Sequence, residues 1–268
     1  MSVLQAIALG AVQGLTEFVP ISSSGHLVLV PEAAGWDQPG LTFDVLLHAA
    51  SLLALLAYFA GDLIDLTRGA AARDRSSLRL VGLLAVGTVP AAIAGVALGD
   101  FFEDQFTDAP AAAVQLVITA AILVGAELAL AAHERRVARI GAGLRGIGDL
   151  NYLDATSIGA AQAISILPGI SRSGATIGTG LALGMARDDA ARFSFLLSIP
   201  ALIGATVVEV PDLETVTLGL GSGIAGFATS LVTSYAAIWG LIRYLRTHTL
   251  YPFAAYCLIA GIVFFLIV

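Results

Sequence analysis

The sequence predicts an all-α integral membrane protein with six transmembrane helices and two re-entrant helix hairpins, arranged as an inverted-topology repeat. Three observations predict it. The 268 residues are 57% hydrophobic and 12% charged, with a mean hydropathy of +0.89, and several apolar runs reach the roughly 20 residues that cross a bilayer. The arginines alternate with acidic stretches along the chain. Two apolar segments broken by Pro, Ser and Gly resemble each other, one in each half.

The arginines order the spans. The chain has no lysine, so all 13 basic residues are arginine. Four stretches carry most of them: 61–79 (Arg68, Arg73, Arg75, Arg79), 133–149 (Arg135, Arg136, Arg139, Arg145), 184–192 (Arg187, Arg192) and 243–248 (Arg243, Arg246). Three stretches have acids and no base: 31–41 (Glu32, Asp37), 99–110 (Asp100, Glu103, Asp104, Asp108) and 209–215 (Glu209, Asp212, Glu214). The excess of arginine in cytoplasmic loops places the first set inside and the second outside. Spans then follow at 43–60, 80–98, 111–132, 193–208, 216–240 and 250–268. They divide one membrane domain, 1–268, into a first repeat, 1–135, and a second of opposite orientation, 150–268.

Residues 3–30 and 152–183 remain. Each holds two apolar pieces too short to span at about 1.5 Å per residue. Both read as hairpins that dip in and return to the same side, the first from outside and the second from the cytoplasm, with tips near the midplane. A single kinked span for each would break the arginine pattern. Arg172, at the second tip, is the arginine outside the cytoplasmic stretches.

The two tips align without a gap. "QGLTEFVPISSSGH" from Gln13 matches "QAISILPGISRSGA" from Gln162, pairing Thr16 with Ser165, Ile21 with Ile170, Ser22 with Ser171, Ser24 with Ser173 and Gly25 with Gly174. Inverted repeats with broken helices place binding sites at the repeat interface. Where the copies differ, the first has Glu17, Ser23 and His26, and the second has Ile166, Arg172 and Ala175.

Those residue types suit an anion. Each tip is a Pro/Gly turn, then serines, then a helix start with free N–H groups and the positive dipole end. Arg172 adds a planar fork suited to phosphate oxygens. A lipid-borne phosphate is the expected ligand. Gln13 and Glu17 share a helix face at i, i+4, and Gly14 beside them permits close packing. Ser23 and His26, at i, i+3, are spaced to act as an activated nucleophile and its base, or as a hydrogen-bond donor beside an imidazole that activates water. Beside a phosphate, Glu17 must pair with Arg172, hold a proton or share a divalent cation. Buried charges in membrane segments are functional by default.

Other residues read more plainly. Ser22 is expected to bond back to its own backbone. Asp44 and His48 form an i, i+4 pair at a helix start, at most supporting the site. Glu127 is expected to snorkel toward His133 or Arg135. Cys257, the lone cysteine, reads as packing and excludes an internal disulfide. Gly219, Gly221, Gly223 and Gly226 suggest close helix contact. No basic region precedes the first apolar run, so no cleavable secretory signal is expected. No basic stripe supports nucleic-acid binding, and no repeated ring of charge suggests a channel. A transporter that flips a lipid phosphate remains an alternative to an enzyme.

"QGLTEFVPISSSGH" and "PGISRSGAT", with "FDVLLHAASLLA" and "RFSFLLSIPA", resemble the undecaprenyl-pyrophosphate phosphatase family of the bacitracin-resistance type, over essentially the whole chain. The first stretch fits its [EQ]-x-x-x-E and P-x-S-S-[ST]-G-H patterns, and the second its P-G-x-S-R-S motif. The resemblance implies a multi-pass phosphatase of the plasma membrane that removes the terminal phosphate of a polyprenyl diphosphate and recycles the carrier lipid. It implies Glu17, Ser23, His26 and Arg172 as catalytic. It implies Gln13, Ser22, Ser24, Gly169, Ser171, Ser173 and Thr176 as substrate-binding, and a Mg²⁺ or Ca²⁺ ion at Glu17 and Gln13. The arginine topology leads one to expect that the diphosphate enters its pocket from the outer face. Two positions depart from the pattern: Gln13 stands where many members have Glu, and Tyr256-Cys257 where many have Tyr-Arg. The carrier is left open between an undecaprenyl and a dolichyl type.

Overall fold

The computed structural model describes residues 1–106, 108–209 and 219–268. Among them the secondary structure is helical, with one isolated bridge between Arg145 and Met185. The ends of the helices follow from local chemistry. α1 (Val3–Phe18) opens on a capping box of Ser2 and Gln5 and stops where Val19 turns extended ahead of Pro20. α2 (Ser23–Ala34) starts on Ser22 and ends at Gly35, whose left-handed φ of 63° suits glycine. α3 (Leu41–Tyr58), α4 (Ala60–Ala71), α5 (Arg75–Ala97) and α6 (Gly99–Gln105) complete the stretch before α7 (Ala109–Ile140). Asp74 caps α5 and Asp108 caps α7.

In the second half a 3₁₀ turn (Ile147–Asp149) leads to α8 (Tyr152–Ile164), opened by an Asn151–Asp154 capping box. Then come α9 (Arg172–Ala182), capped by Ser171, α10 (Arg187–Glu209), α11 (Leu220–Leu245) and α12 (Tyr251–Ile267).

Five of these helices are long and apolar enough to cross a membrane: 41–58, 75–97, 109–140, 187–207 and 220–245. They match five of the six expected spans. The sixth, 250–268, is the 17-residue α12, about 26 Å long at 1.5 Å per residue against a hydrocarbon core of about 30 Å. The arginine-rich stretches are also more helical than expected. α4 occupies much of 61–79, and α7 runs on to Ile140. The acidic stretch 99–110 holds α6. Asp212, Glu214, the beginning of the 216–240 span and the side chains of Asp100, Glu103, Asp104 and Glu209 lie outside the described residues.

The outer faces of the long helices are apolar. Ile93, Val96, Leu128, Ile203 and Val232 are all exposed, as expected for helices solvated by lipid tails rather than water. Inside, Phe18, Phe59 and Phe195 meet edge to face within the main core cluster. Both broken segments are helix–break–helix units, interrupted at 19–22 and 165–171. α1 packs along α11 and α8 along α5, so each broken unit rests on a helix of the other half. At Gly14 the α1–α11 approach is so close that an added Cβ would lie 2.8 Å from Ser234 N. Gly226 meets Phe43 and Leu47 in the same way, so these small residues serve contacts within the chain.

Candidate active site

The two breaks face each other and exchange hydrogen bonds. The Ser24 hydroxyl donates to Pro168 O at 2.7 Å, and the Ser173 hydroxyl donates to Val19 O at 3.2 Å. Under the alignment that pairs Gln13 with Gln162, these are the same bond made twice. Ser22 also donates to Pro168 O, at 2.5 Å, and accepts from Gly25 N at 3.3 Å. It therefore bonds back to its own helix as expected, by capping α2, and also joins the second tip. Its φ of 67° is unusual for a residue with a Cβ, and the surrounding bonds hold it there. Glycine is needed at position 25, where a Cβ would lie 3.0 Å from Pro168 O and 3.2 Å from the Gly169 Cα.

The second tip is tied to α7. Gly169 N donates to Gln115 Oε1 at 2.8 Å. Thr119 Oγ1 donates to Gly169 O at 2.9 Å and accepts from Ser171 N at 3.0 Å. The Ser171 side chain accepts from Gly174 N at 3.1 Å to cap α9. Thr176 bonds Arg172 O at 2.8 Å and shares a 2.5 Å contact with Ser194. It braces the first turn of α9 instead of facing an open space.

Glu17 sits where the tips converge. It is 7% exposed. Its Oε1 accepts from Arg172 Nη2 at 2.5 Å. Its Oε2 accepts from Gln13 Nε2 at 3.0 Å and from the Ser23 hydroxyl. His48 Nε2 lies 3.9 Å from the same oxygen. One carboxylate thus gathers residues from α1, α2, α3 and α9. Of the three fates open to Glu17, pairing with Arg172 is the one seen. A carboxylate and a guanidinium taken out of water stabilise each other only when both stay paired and hydrogen-bonded. Here both are.

Ser23 and His26 do not form the expected couple. The Ser23 hydroxyl turns to Glu17. His26 Nδ1 faces Ser22 O at 2.7 Å, which only accepts, so Nδ1 carries the proton. Nε2 is then an acceptor for the Tyr256 hydroxyl at 2.8 Å. The two rings also stack, with centroids 5.6 Å apart and planes at 14°. Tyr256, named in the sequence only beside Cys257, could not be paired with His26 there because it lies on α12, far from the motif. Gln115 and Thr119 escaped the sequence reading, although two polar residues at i, i+4 in an apolar helix were a visible signal.

Other charges lie elsewhere. Glu127 does not snorkel to its neighbours. It is 2% exposed, accepts from Arg187 at 2.6 and 3.2 Å and from Leu250 N at 2.8 Å, and so ties α7 to the starts of α10 and α12. His48 Nδ1 bonds the backbone oxygen of Asp44, at 2.8 Å. Cys257 is buried, with Sγ 3.7 Å from Pro20 O, and packs as expected.

The site has the chemistry to hold a divalent cation beside a phosphate. Gln13 is fully buried, and its Oε1 has no hydrogen-bond partner, an arrangement that costs free energy unless a cation or donor meets it. Glu17 Oε2 accepts from the nitrogen of the same amide. Among the described residues no three His, Cys, Asp or Glu cluster as a metal cage, so protein ligands would share the ion with substrate oxygens.

The profile of bacitracin resistance protein BacA matches residues 6–263. The chain belongs to the BacA family. BacA relatives are similar along their whole length. The undecaprenyl-diphosphatase of Methanosphaera stadtmanae is 39% identical over 279 residues, 98% of this chain and 97% of its own. That of Thermomicrobium roseum is 39% identical over 280 residues, with 100% and 99% covered. That of Moorella thermoacetica is 41% identical over 258 residues, with 96% and 94% covered. A multi-pass helical membrane protein of the BacA family is thus what both sequence and fold describe.

Proposed function

We propose that this chain hydrolyses undecaprenyl diphosphate, within the membrane, to the monophosphate and inorganic phosphate. The observation that carries the reading is the Glu17–Arg172 pair at two serine-capped helix starts, in a chain whose full-length relatives are named undecaprenyl-diphosphatase. The helix starts offer N–H groups to phosphate oxygens, and Arg172 offers its fork. A flippase would use the same anion pocket but needs no hydroxyl held against a carboxylate. Ser23 is so held, and this favours an enzyme.

In this reading the Ser23 oxygen attacks the terminal phosphorus while its proton passes to Glu17 Oε2. The bond to the bridging oxygen breaks, and its electron pair leaves with the lipid monophosphate. Water then breaks the Oγ–P bond, its oxygen and one proton leaving on phosphate and the other proton restoring the Ser23 hydroxyl, and Glu17 gives its proton up to solvent as phosphate departs. Protonation of Glu17 weakens its hold on Arg172, which frees the guanidinium for the phosphoryl oxygens as charge develops there. His26 is held by Ser22 O and the Tyr256 hydroxyl, so its Nε2 reaches the phosphoryl group only by exchanging the tyrosine bond. Gln13 and Glu17 would hold a Mg²⁺ or Ca²⁺ ion, which supplies charge neutralisation to the diphosphate. Ser22, Ser24, Gly169, Ser171, Ser173 and Thr176 shape the cradle.

The same reading takes the chain as six spans plus two re-entrant hairpins, with 1–135 and 150–268 as inverted halves. The twice-made serine-to-carbonyl bond between the tips and the crossed packing of α1 and α8 support it. The protein resides in the plasma membrane with the site open to the outside, opposite the arginine-rich loops. The test is phosphate release from undecaprenyl diphosphate by purified protein, with EDTA as control. Sidedness is read with Asp37→Cys, which must label from outside intact cells. Labelling from the cytoplasm alone would reverse the orientation.

A further inference from the structure

We propose that His48 supplies a nitrogen ligand to the divalent cation at Glu17 and Gln13, giving this site a preference for metals such as Mn²⁺ over Ca²⁺. The inference rests on the reading that a cation binds here, and adds a ligand to it. Three observations carry it. First, His48 Nδ1 faces a backbone oxygen, Asp44 O, at 2.8 Å. A carbonyl only accepts, so Nδ1 carries a proton, and in the neutral ring Nε2 keeps its lone pair. A histidine with its other nitrogen donating to a backbone carbonyl is the arrangement metal-bound histidines adopt.

Second, Nε2 is 3.9 Å from Glu17 Oε2. That is too long for a hydrogen bond. It is the spacing of two donors that share one ion, since ligands at about 2.0–2.2 Å from a metal lie about 3–4 Å apart. Third, Gln13 Oε1 is a buried acceptor without a partner, on the same helix face as Glu17. A protonated His48 paired directly with Glu17 would leave that oxygen unmet. A cation beside Glu17 and His48 would meet it once the Gln13 amide turns its oxygen toward them.

The donors stand on fixed supports. One turn past His48, Ser51 bonds Ser230 at 3.2 Å and accepts from Ser234 at 3.0 Å, locking α3 to α11, and α1 packs on α11 as well. Arg172 holds the other carboxylate oxygen, Oε1, so a cation takes the Oε2 side by turning the Gln13 amide, whose nitrogen bonds that oxygen here beside the Ser23 hydroxyl. An oxygen-only site suits Mg²⁺ and Ca²⁺, and an imidazole shifts the balance toward borderline first-row metals.

The test uses the full chain in detergent, stripped with EDTA and titrated with Mn²⁺ alone under electron paramagnetic resonance. Spin-echo modulation of the bound ion should show coupling to an imidazole nitrogen in the wild-type protein. His48→Gln should weaken Mn²⁺ by about tenfold while leaving Ca²⁺ competition nearly unchanged, and Glu17→Gln should abolish both. Mn²⁺ bound in a Glu17-dependent way, without nitrogen coupling and equally in His48→Gln, would overturn the role of His48 and leave the cation reading intact. No Mn²⁺ binding by wild-type protein would overturn both.

Discussion

Arg172 Nη2 lies 2.5 Å from Glu17 Oε1, joining two residues 155 positions apart, one from each half of the chain. An arginine inside a membrane is costly unless paired, and here its partner is a carboxylate that is itself 7% exposed. Removing one partner strands the other. Arg172→Ala is expected to destabilise the protein by about 3–5 kcal/mol. Arg172→Lys keeps the charge but loses the planar fork, so it should recover stability more than activity. Thermal unfolding and phosphate release, measured on both variants, separate the two effects.

Tyr256 should matter through its hydroxyl. It holds His26 Nε2 at 2.8 Å while the rings stack. Tyr256→Phe keeps the stack and removes a hydrogen bond of about 1 kcal/mol, so turnover should fall by less than about tenfold. His26→Ala should cost far more. Equal losses in the two variants would mean that His26 acts only through Tyr256.

Gln115 and Thr119 should behave as supports of the second tip. Gln115→Leu leaves Gly169 N buried without its 2.8 Å acceptor, at a cost of about 1–3 kcal/mol. Thr119→Val removes the bonds to Gly169 O and Ser171 N. Each should lower kcat for undecaprenyl diphosphate although neither side chain is placed against substrate. Steady-state kinetics alongside thermal unfolding would show it.

Ser22 separates backbone strain from side-chain bonding. Its φ of 67° suits glycine, yet its hydroxyl caps α2 and reaches Pro168. Ser22→Gly loses the bonds and relieves the strain. Ser22→Ala loses the bonds and keeps it. Ser22→Gly should therefore be the more stable of the two by about 1 kcal/mol, read as the difference in unfolding midpoint.

The broken segments were legible because Pro, Ser and Gly interrupt apolar runs at matching places, and the tips were legible as a pair because their motifs align. The pairing of Glu17 with Arg172 was one of three outcomes open in the sequence, beside a proton on Glu17 or a shared cation, and the structure shows the pair. What escaped depends on contacts distant in sequence. Spacing alone put His26 beside Ser23, but a carbonyl one helical turn back and a tyrosine on α12 claim both ring nitrogens. Glu127 looked close enough to a loop to snorkel. α7 runs 32 residues, however, and Arg187 reaches over from the start of α10. The second tip's anchors on α7 looked like incidental polar residues in an apolar helix, because nothing local says which loop they will meet.

The most direct test of a lipid diphosphatase built from both halves is phosphate release from undecaprenyl diphosphate by purified wild-type, Ser23→Ala and Arg172→Ala proteins, each checked for folding by thermal unfolding. One residue comes from each tip. The account predicts release by the wild type, and a loss of at least about a hundredfold in each folded variant, as for removal of a stabilising group at a reacting centre. Wild-type release that persists in folded Arg172→Ala and Ser23→Ala would contradict it.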